Sequence, residues 1–235
     1  MRKLIAFTLA MTLFLPLVSC GKTDDFYSEI IAIENSTKIV DYIYLESVGE
    51  LIGKCKPNLI IRGKVASRAD STVVDYSGKY AADFLDSDAS EQAKTACAAE
   101  YLVTPYTIEV SENFLGEDVG SLTLNMPYGI HGNYQRRERK YPVLEVGKEY
   151  VFFLREDRIG RRMSDDLVAI WKAYFLAFPP ASAVEVKRGR LVLAENSVEE
   201  LIFGGFGSYK KLAGYLGEYI RENNPDTSAD SYMLK

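Results

Sequence analysis

Alternation of apolar and polar side chains marks most of this chain as sheet. In Asn58–Arg68, Leu59, Ile61 and Val65 share one face with Gly63, while Arg62 and Lys64 take the other. That is the period of a half-buried strand, and a glycine in its middle predicts a bulge or a sharp coil. Thr72–Tyr76 reads as a short extension paired with that strand. In Tyr101–Asn113, Tyr106, Ile108 and Val110 alternate with Thr107, Glu109 and Ser111, and Pro105 marks a bulge or an edge. After a turn at Gly116–Gly120, Ser121–Met126 repeats the pattern through Leu122, Leu124 and Met126. Glu149–Arg155 has no polar face: its heart, Tyr150-Val-Phe-Phe-Leu154, is suited to burial on both sides. Leu167–Phe178 reads as a strand around Trp171, stopped by Pro179-Pro180. Val184–Leu193 reads as a hairpin turning at Arg188-Gly189.

The period changes to that of a helix in four places. Leu45–Lys54 carries Leu45, Val48, Leu51 and Ile52 on one face, and Pro57 ends it. Ser90–Ala99, inside an insertion spanning Gly78–Glu100, is made of good helix formers. Ser197-x-x-Glu200 is a capping box that starts a helix at Val198, and Gly204, Gly205 and Gly207 break it. Ser208 starts the last helix, with Leu212, Tyr215, Leu216, Tyr219 and Ile220 as its apolar stripe and Asn223-Asn224-Pro225 as its stop. Pro127–Pro142 and Asp157–Asp166 read as polar loops.

The first residues follow a different pattern. Arg2 and Lys3 precede an apolar run from Leu4 to Leu15, then Pro16 and Leu17-Val18-Ser19-Cys20. The run is shorter than the ~20 apolar residues a membrane span needs, and its parts are those of a secretory signal. Leu-x-Ser-Cys resembles the lipobox of bacterial lipoproteins. The resemblance implies cleavage before Cys20, a diacylglycerol on its sulfur and a mature domain held at a membrane outside the cytoplasm. Gly21 at the next position implies the outer membrane in a cell that has one. The competing readings are a plain signal peptide cut elsewhere and an uncleaved anchor. The chain then divides into a signal peptide (1–19), a tether (20–25), an N-terminal arm and helix (26–57), a β-domain (58–195), C-terminal helices (196–224) and a tail (225–235).

Composition narrows the partners. The chain has 235 residues, 47% of them apolar, with 28 basic and 33 acidic side chains. Loss of Arg2 and Lys3 with the signal leaves 26 basic groups against 33 acidic, a mature net charge of −7. An acidic domain is unsuited to nucleic acid or to an anionic bilayer surface. After lipidation of Cys20, Cys55 and Cys97 remain. In an oxidising compartment such a pair favours a disulfide, worth ~4 kcal/mol for the loop it would close, with two buried thiols as the alternative.

Taken together, these elements predict a mainly β (α+β) fold: an OB-like Greek-key β-barrel of five to six strands with an inserted helix and C-terminal helices. Asn58-Leu-Ile-Ile-Arg-Gly-Lys-Val65, Tyr106-Thr-Ile-Glu-Val110 with Phe114-Leu-Gly116, and Leu144-Glu-Val-Gly-Lys-Glu-Tyr-Val-Phe-Phe-Leu154 resemble a group of secreted and lipid-anchored bacterial proteins. That group is similar in layout to the OB-like barrel of tissue inhibitors of metalloproteinases and netrin modules. The likeness spans about residues 45–195 and carries no settled function. Those inhibitors grip a target zinc with the free amine of an N-terminal cysteine beside the barrel. Here Cys20 is the lipidation site and precedes Asn58 by 38 residues, so inhibition by that route is not expected.

Candidate chemistry is sparse. His131 is the only histidine, and Gly129-Ile-His-Gly132 matches no nucleophile or metalloprotease motif, so it reads as a solvated loop residue. No cofactor and no metal site is expected. The distinctive surface is Tyr134-Gln-Arg-Arg-Glu-Arg-Lys-Tyr141, where Tyr134, Arg136, Arg137, Arg139 and Tyr141 form a candidate site for an anionic ligand, a glycan or an acidic partner. The expected function is a non-enzymatic binding or adaptor module for a protein or glycan. The alternatives are a carboxylate-based hydrolase of cell-wall polymers and a structural envelope component.

Overall fold

The computed structural model describes residues 44–73, 84–137, 141–156 and 173–225. The segments read as signal peptide, tether and arm (1–43, with Cys20), Arg139, Trp171 and the segment read as a tail (226–235) lie outside the described residues. The fold is mainly β. Among the described residues ten strands run β1 (Leu59–Arg68), β2 (Thr72–Val73), β3 (Leu102–Leu115), β4 (Ser121–Met126), β5 (Tyr128–His131), β6 (Tyr134–Arg137), β7 (Glu149–Glu156), β8 (Ala173–Leu176), β9 (Ala183–Lys187) and β10 (Arg190–Val192). The helices of the described residues are α1 (Val48–Cys55), α2 (Glu91–Tyr101), α3 (Val198–Phe203) and α4 (Tyr209–Asn223).

Five strands close a barrel in the order β1-β3-β4-β8-β7, with β7 returning to β1. All ladders are antiparallel except β4–β8, where Thr123 and Leu124 run parallel to Ala173 and Tyr174. Closure is made by Leu59–Lys64 against Glu149–Leu154. The β1–β3 register slips at three places, one of them between Arg62 and Gly63. Gly63 is needed there because a Cβ would stand 2.6 Å from Ile108 Cγ2 and 2.9 Å from the Glu109 carbonyl. This is the coil expected from the glycine in mid-strand.

Two apolar cores share one wall. Inside the barrel, Leu59, Ile61, Val65, Tyr106, Ile108, Leu124 and Met126 meet Tyr150, Phe152 and Leu154. On the outside of the same wall, Val151 and Phe153 face Leu45, Leu51 and Ile52 from the α1 region and Ile202, Phe203, Leu212 and Leu216 from α3 and α4. Phe153 packs its ring 5.7 Å from that of Phe203. Strand β7 is therefore buried on both faces, as its sequence predicts. Along its other edge, β8 and β9 follow one another. The corner between them is tied to β7 by Phe153 N–H donating to Ser182 O (2.9 Å) and Ala177 N–H donating to Phe153 O (2.9 Å).

The helices begin where their caps dictate. Ser47, Ser90, Ser197 and Ser208 each accept from a backbone N–H three residues on. Helix α4 is pinned by its first residue. The Arg62 guanidinium lies 4.4 Å over the Tyr209 ring and bonds Glu149 at 2.7 Å, while the Tyr209 hydroxyl donates to Glu112.

Three sequence expectations need correction. The short strand at Thr72 pairs with Val103 and Leu102 of β3, not with β1. The stretch read as a loop between Pro127 and Pro142 contains the β5–β6 hairpin. Finally, no disulfide joins Cys55 and Cys97. Cys55 ends α1 beside the outer core, where burial pushes its thiol up, whereas Cys97 packs with α2 and β2. The ten residues of β1 separate those two regions, roughly 30 Å at strand rise, far beyond the ~7 Å that a disulfide tolerates between Cα atoms.

Phe153→Ala opens a cavity between wall and helices without touching the barrel interior. A loss of about 3–5 kcal/mol is expected from denaturant unfolding. A loss under ~1 kcal/mol would mean that the helical layer is not stabilised by this wall.

Candidate functional site

The end of the barrel where β1 finishes and β3 begins is closed by the β5–β6 hairpin. Tyr128 enters the barrel and is fully buried. Its hydroxyl donates to Tyr106 Oη (3.2 Å) and accepts from Leu144 N–H (3.4 Å), and the two tyrosine rings meet edge to face at 6.4 Å. Behind it lies a chain of polar groups. Ile130 N–H donates to Ser71 Oγ at 3.2 Å, Ser71 bonds Thr104 Oγ1 at 2.9 Å, and Thr104 donates to Tyr128 O at 2.6 Å. Because Thr104 gives its hydrogen to the carbonyl, Ser71 must give its own to Thr104. Every group in the chain is satisfied, which is what burial demands.

Gly129 makes the arrangement possible. A Cβ there would stand 2.3 Å from Ser71 Oγ and 2.8 Å from Thr104 Oγ1. The hairpin backbone thus rests directly on two side chains 33 residues apart.

His131 completes the cap. Its Nδ1 is 3.2 Å from the Ser71 carbonyl oxygen, and its Nε2 is 3.2 Å from each carboxylate oxygen of Asp86. Serine, histidine and aspartate therefore meet, but not as a nucleophilic triad. The ring faces the backbone of Ser71, while the buried Ser71 hydroxyl points to Thr104 and has no base beside it. His131 is not the solvated loop residue the sequence predicts, since its side chain is three-quarters covered.

Of the five predicted ligand-binding residues, the four described ones make different contacts. Tyr134 donates to Glu91 Oε2 of α2 at 2.7 Å. That bond pushes the phenol up to about 12 and holds the Glu91 carboxyl below its usual range. Arg136 donates to the Leu102 carbonyl at 3.2 Å. Arg137 is only 6% exposed and lies 5.3 Å over the Tyr128 ring. Tyr141 packs against the barrel core, and Arg139 is outside the described residues. The hairpin basic groups are built into the cap rather than spread as one open face. What the outside is offered is Gly132, Asn133 and Gln135.

Elsewhere the chemistry is local. Burial raises the Glu199 carboxyl, but Ser197 and the Ala194 backbone hold it beside the α3 cap. Glu200 accepts from Asn196 N–H at 2.6 Å, so both carboxylates serve the helix start. Among the described residues no three of His, Cys, Asp and Glu stand close enough to hold a metal, and no helix is long and apolar enough to cross a membrane. A shallow groove of about 230 Å³ lies between the C-terminal ends of α1 and α4, lined by Ile52, Lys56, Pro57, Tyr219 and Pro225. Ser71, Thr104, Asp86 and the close approach at Gly129 carried no signal in the sequence reading. No protein-family model, curated protein or solved structure matches the chain.

Gly129→Ala should lower stability by about 1–3 kcal/mol, since the added methyl overpacks the Ser71–Thr104 contact. Gly120→Ala, where nothing stands within 4 Å, is the control and should shift the unfolding midpoint little. Equal effects from the two substitutions would remove the close approach as the reason for this glycine.

Proposed function

We propose that this chain is a lipid-anchored envelope protein whose OB-like Greek-key barrel serves as a non-enzymatic binding or adaptor module. The anchor is Cys20, acylated after cleavage of the signal, with the domain outside the cytoplasm. The OB-like reading is supported by strand order. Numbered along the barrel, the strands close as first, second, third, fifth, fourth and first again, with the third and fifth parallel. That is the connectivity expected of an OB-like barrel.

The observation that carries the non-enzymatic reading is the commitment of His131. The His131 ring sits between the Ser71 carbonyl and the Asp86 carboxylate, and the Ser71 hydroxyl is given to Thr104, so the one serine–histidine–aspartate meeting in the described residues acts as scaffold. A protein partner fits better than a glycan. The outward residues of the second and third barrel strands, Thr107, Glu109, Ser111, Ser121 and Thr123, include no aromatic platform on which a sugar or a base would stack. The partner surface is assigned to the exposed side of the β5–β6 hairpin with the adjoining α2.

Two experiments test this reading. Labelled palmitate should mark the parent protein and not Cys20→Ser, and the variant should leave the membrane fraction. A label that persists on Cys20→Ser rejects the anchor. Crosslinking in intact cells should then recover a partner whose capture falls roughly tenfold in an Asn133→Ala, Gln135→Ala double variant of near-parental melting temperature. Arg137 is unsuited to this test, because removing a buried guanidinium would disturb the cap itself. Unchanged capture rejects the hairpin as the contact surface.

A further inference from the structure

The only histidine of the chain stands between two acceptors. On one side is the Ser71 carbonyl oxygen, 3.2 Å from Nδ1; on the other is the Asp86 carboxylate, with both oxygens 3.2 Å from Nε2. A neutral imidazole has one N–H, so it bonds one of these acceptors and turns a lone pair toward the other. An imidazolium has two and bonds both. The two acceptors come from separate places: Ser71 adjoins β2, and Asp86 lies in the turn before α2. His131 itself is the last residue of β5, at the tip of the hairpin that caps the barrel.

We propose that His131 is a proton-operated latch that ties the β5–β6 hairpin to the turn containing Asp86. With the ring doubly protonated, both ties are hydrogen bonds and the one to Asp86 is also an ion pair. With one proton lost, one tie is lost and the hairpin loosens. The latch follows from the position of the ring between its acceptors and holds whether or not the hairpin meets a partner.

The surroundings fit a local device. Among the described residues, the charged group in contact with the ring is Asp86, and the titratable residue paired with His131 across the hairpin is Tyr134. Beyond Tyr134 stand Glu91 and Lys94 of α2, which pair with one another at 3.5 Å. The Tyr134–Glu91 bond is a second tie between hairpin and helix, and it needs no histidine. It holds the hairpin in register while the latch is open, so the change is a loosening of the tip and not loss of the cap. The Asp86 side chain is 71% exposed, which keeps the ion pair modest and within reach of solvent protons.

The test is amide hydrogen exchange of the full chain at about pH 5 and about pH 8, corrected for intrinsic rates. Amides at the hairpin tip should be roughly two- to fivefold better protected at the lower pH, the range of an exposed ion pair. In His131→Gln, which keeps one donor and one acceptor at every pH, the difference should vanish. Asp86→Asn should reduce it, and serves alone if His131→Gln does not fold. Equal tip protection of the parent at the two pH values overturns the latch, as does a difference that survives both substitutions.

Discussion

A single strand holds two cores together. Tyr150, Phe152 and Leu154 of β7 point into the barrel, and Val151 and Phe153 point out of it beneath α1, α3 and α4. Each face buries apolar surface worth roughly 1.5–3 kcal/mol per side chain, so the pentapeptide contributes to both layers at once. A polar residue at any of the five positions would leave an unpaired group in one core or the other. The same strand also closes the barrel against β1 and receives the corner that joins β8 to β9. Few substitutions here affect only one layer.

This explains which parts of the fold were legible in the sequence. A short run of Tyr150-Val-Phe-Phe-Leu154, with no polar face, suits a strand buried on both sides, and β7 is one. Alternation through Tyr106, Ile108 and Val110 and through Leu122, Leu124 and Met126 sets which way those strands face, because the side-chain period is two. Four serine caps place four helix starts, since an N-cap serine acts on its own nearby backbone. Each of these signals is local, and so is the interaction it reports.

What the sequence concealed is long-range or many-bodied. The pairing of β2 with β3 rather than β1 depends on where α2 returns the chain. The cap depends on Ser71, Thr104 and Gly129, which meet only once three strands have formed. Arg136 and Arg137 look like a solvated basic patch in one dimension. In three, one guanidinium bonds a carbonyl and the other lies over Tyr128. The cysteine pair failed for a related reason: compartment and even number favour a bridge, but β1 sets the two thiols at opposite ends of the barrel.

The parallel step between β4 and β8 bears on biogenesis. Two neighbouring strands that run the same way cannot be joined by a tight turn, so after Met126 the chain lays down β7 first, and only at Ala173 does β8 fill the gap between β4 and β7. The seam at Leu59 and Leu154 is likewise sealed only after nearly a hundred intervening residues have emerged. Such late, distant ladders form slowly. Completion of the wall therefore waits on its most distant ladders, and no single hairpin can seal it.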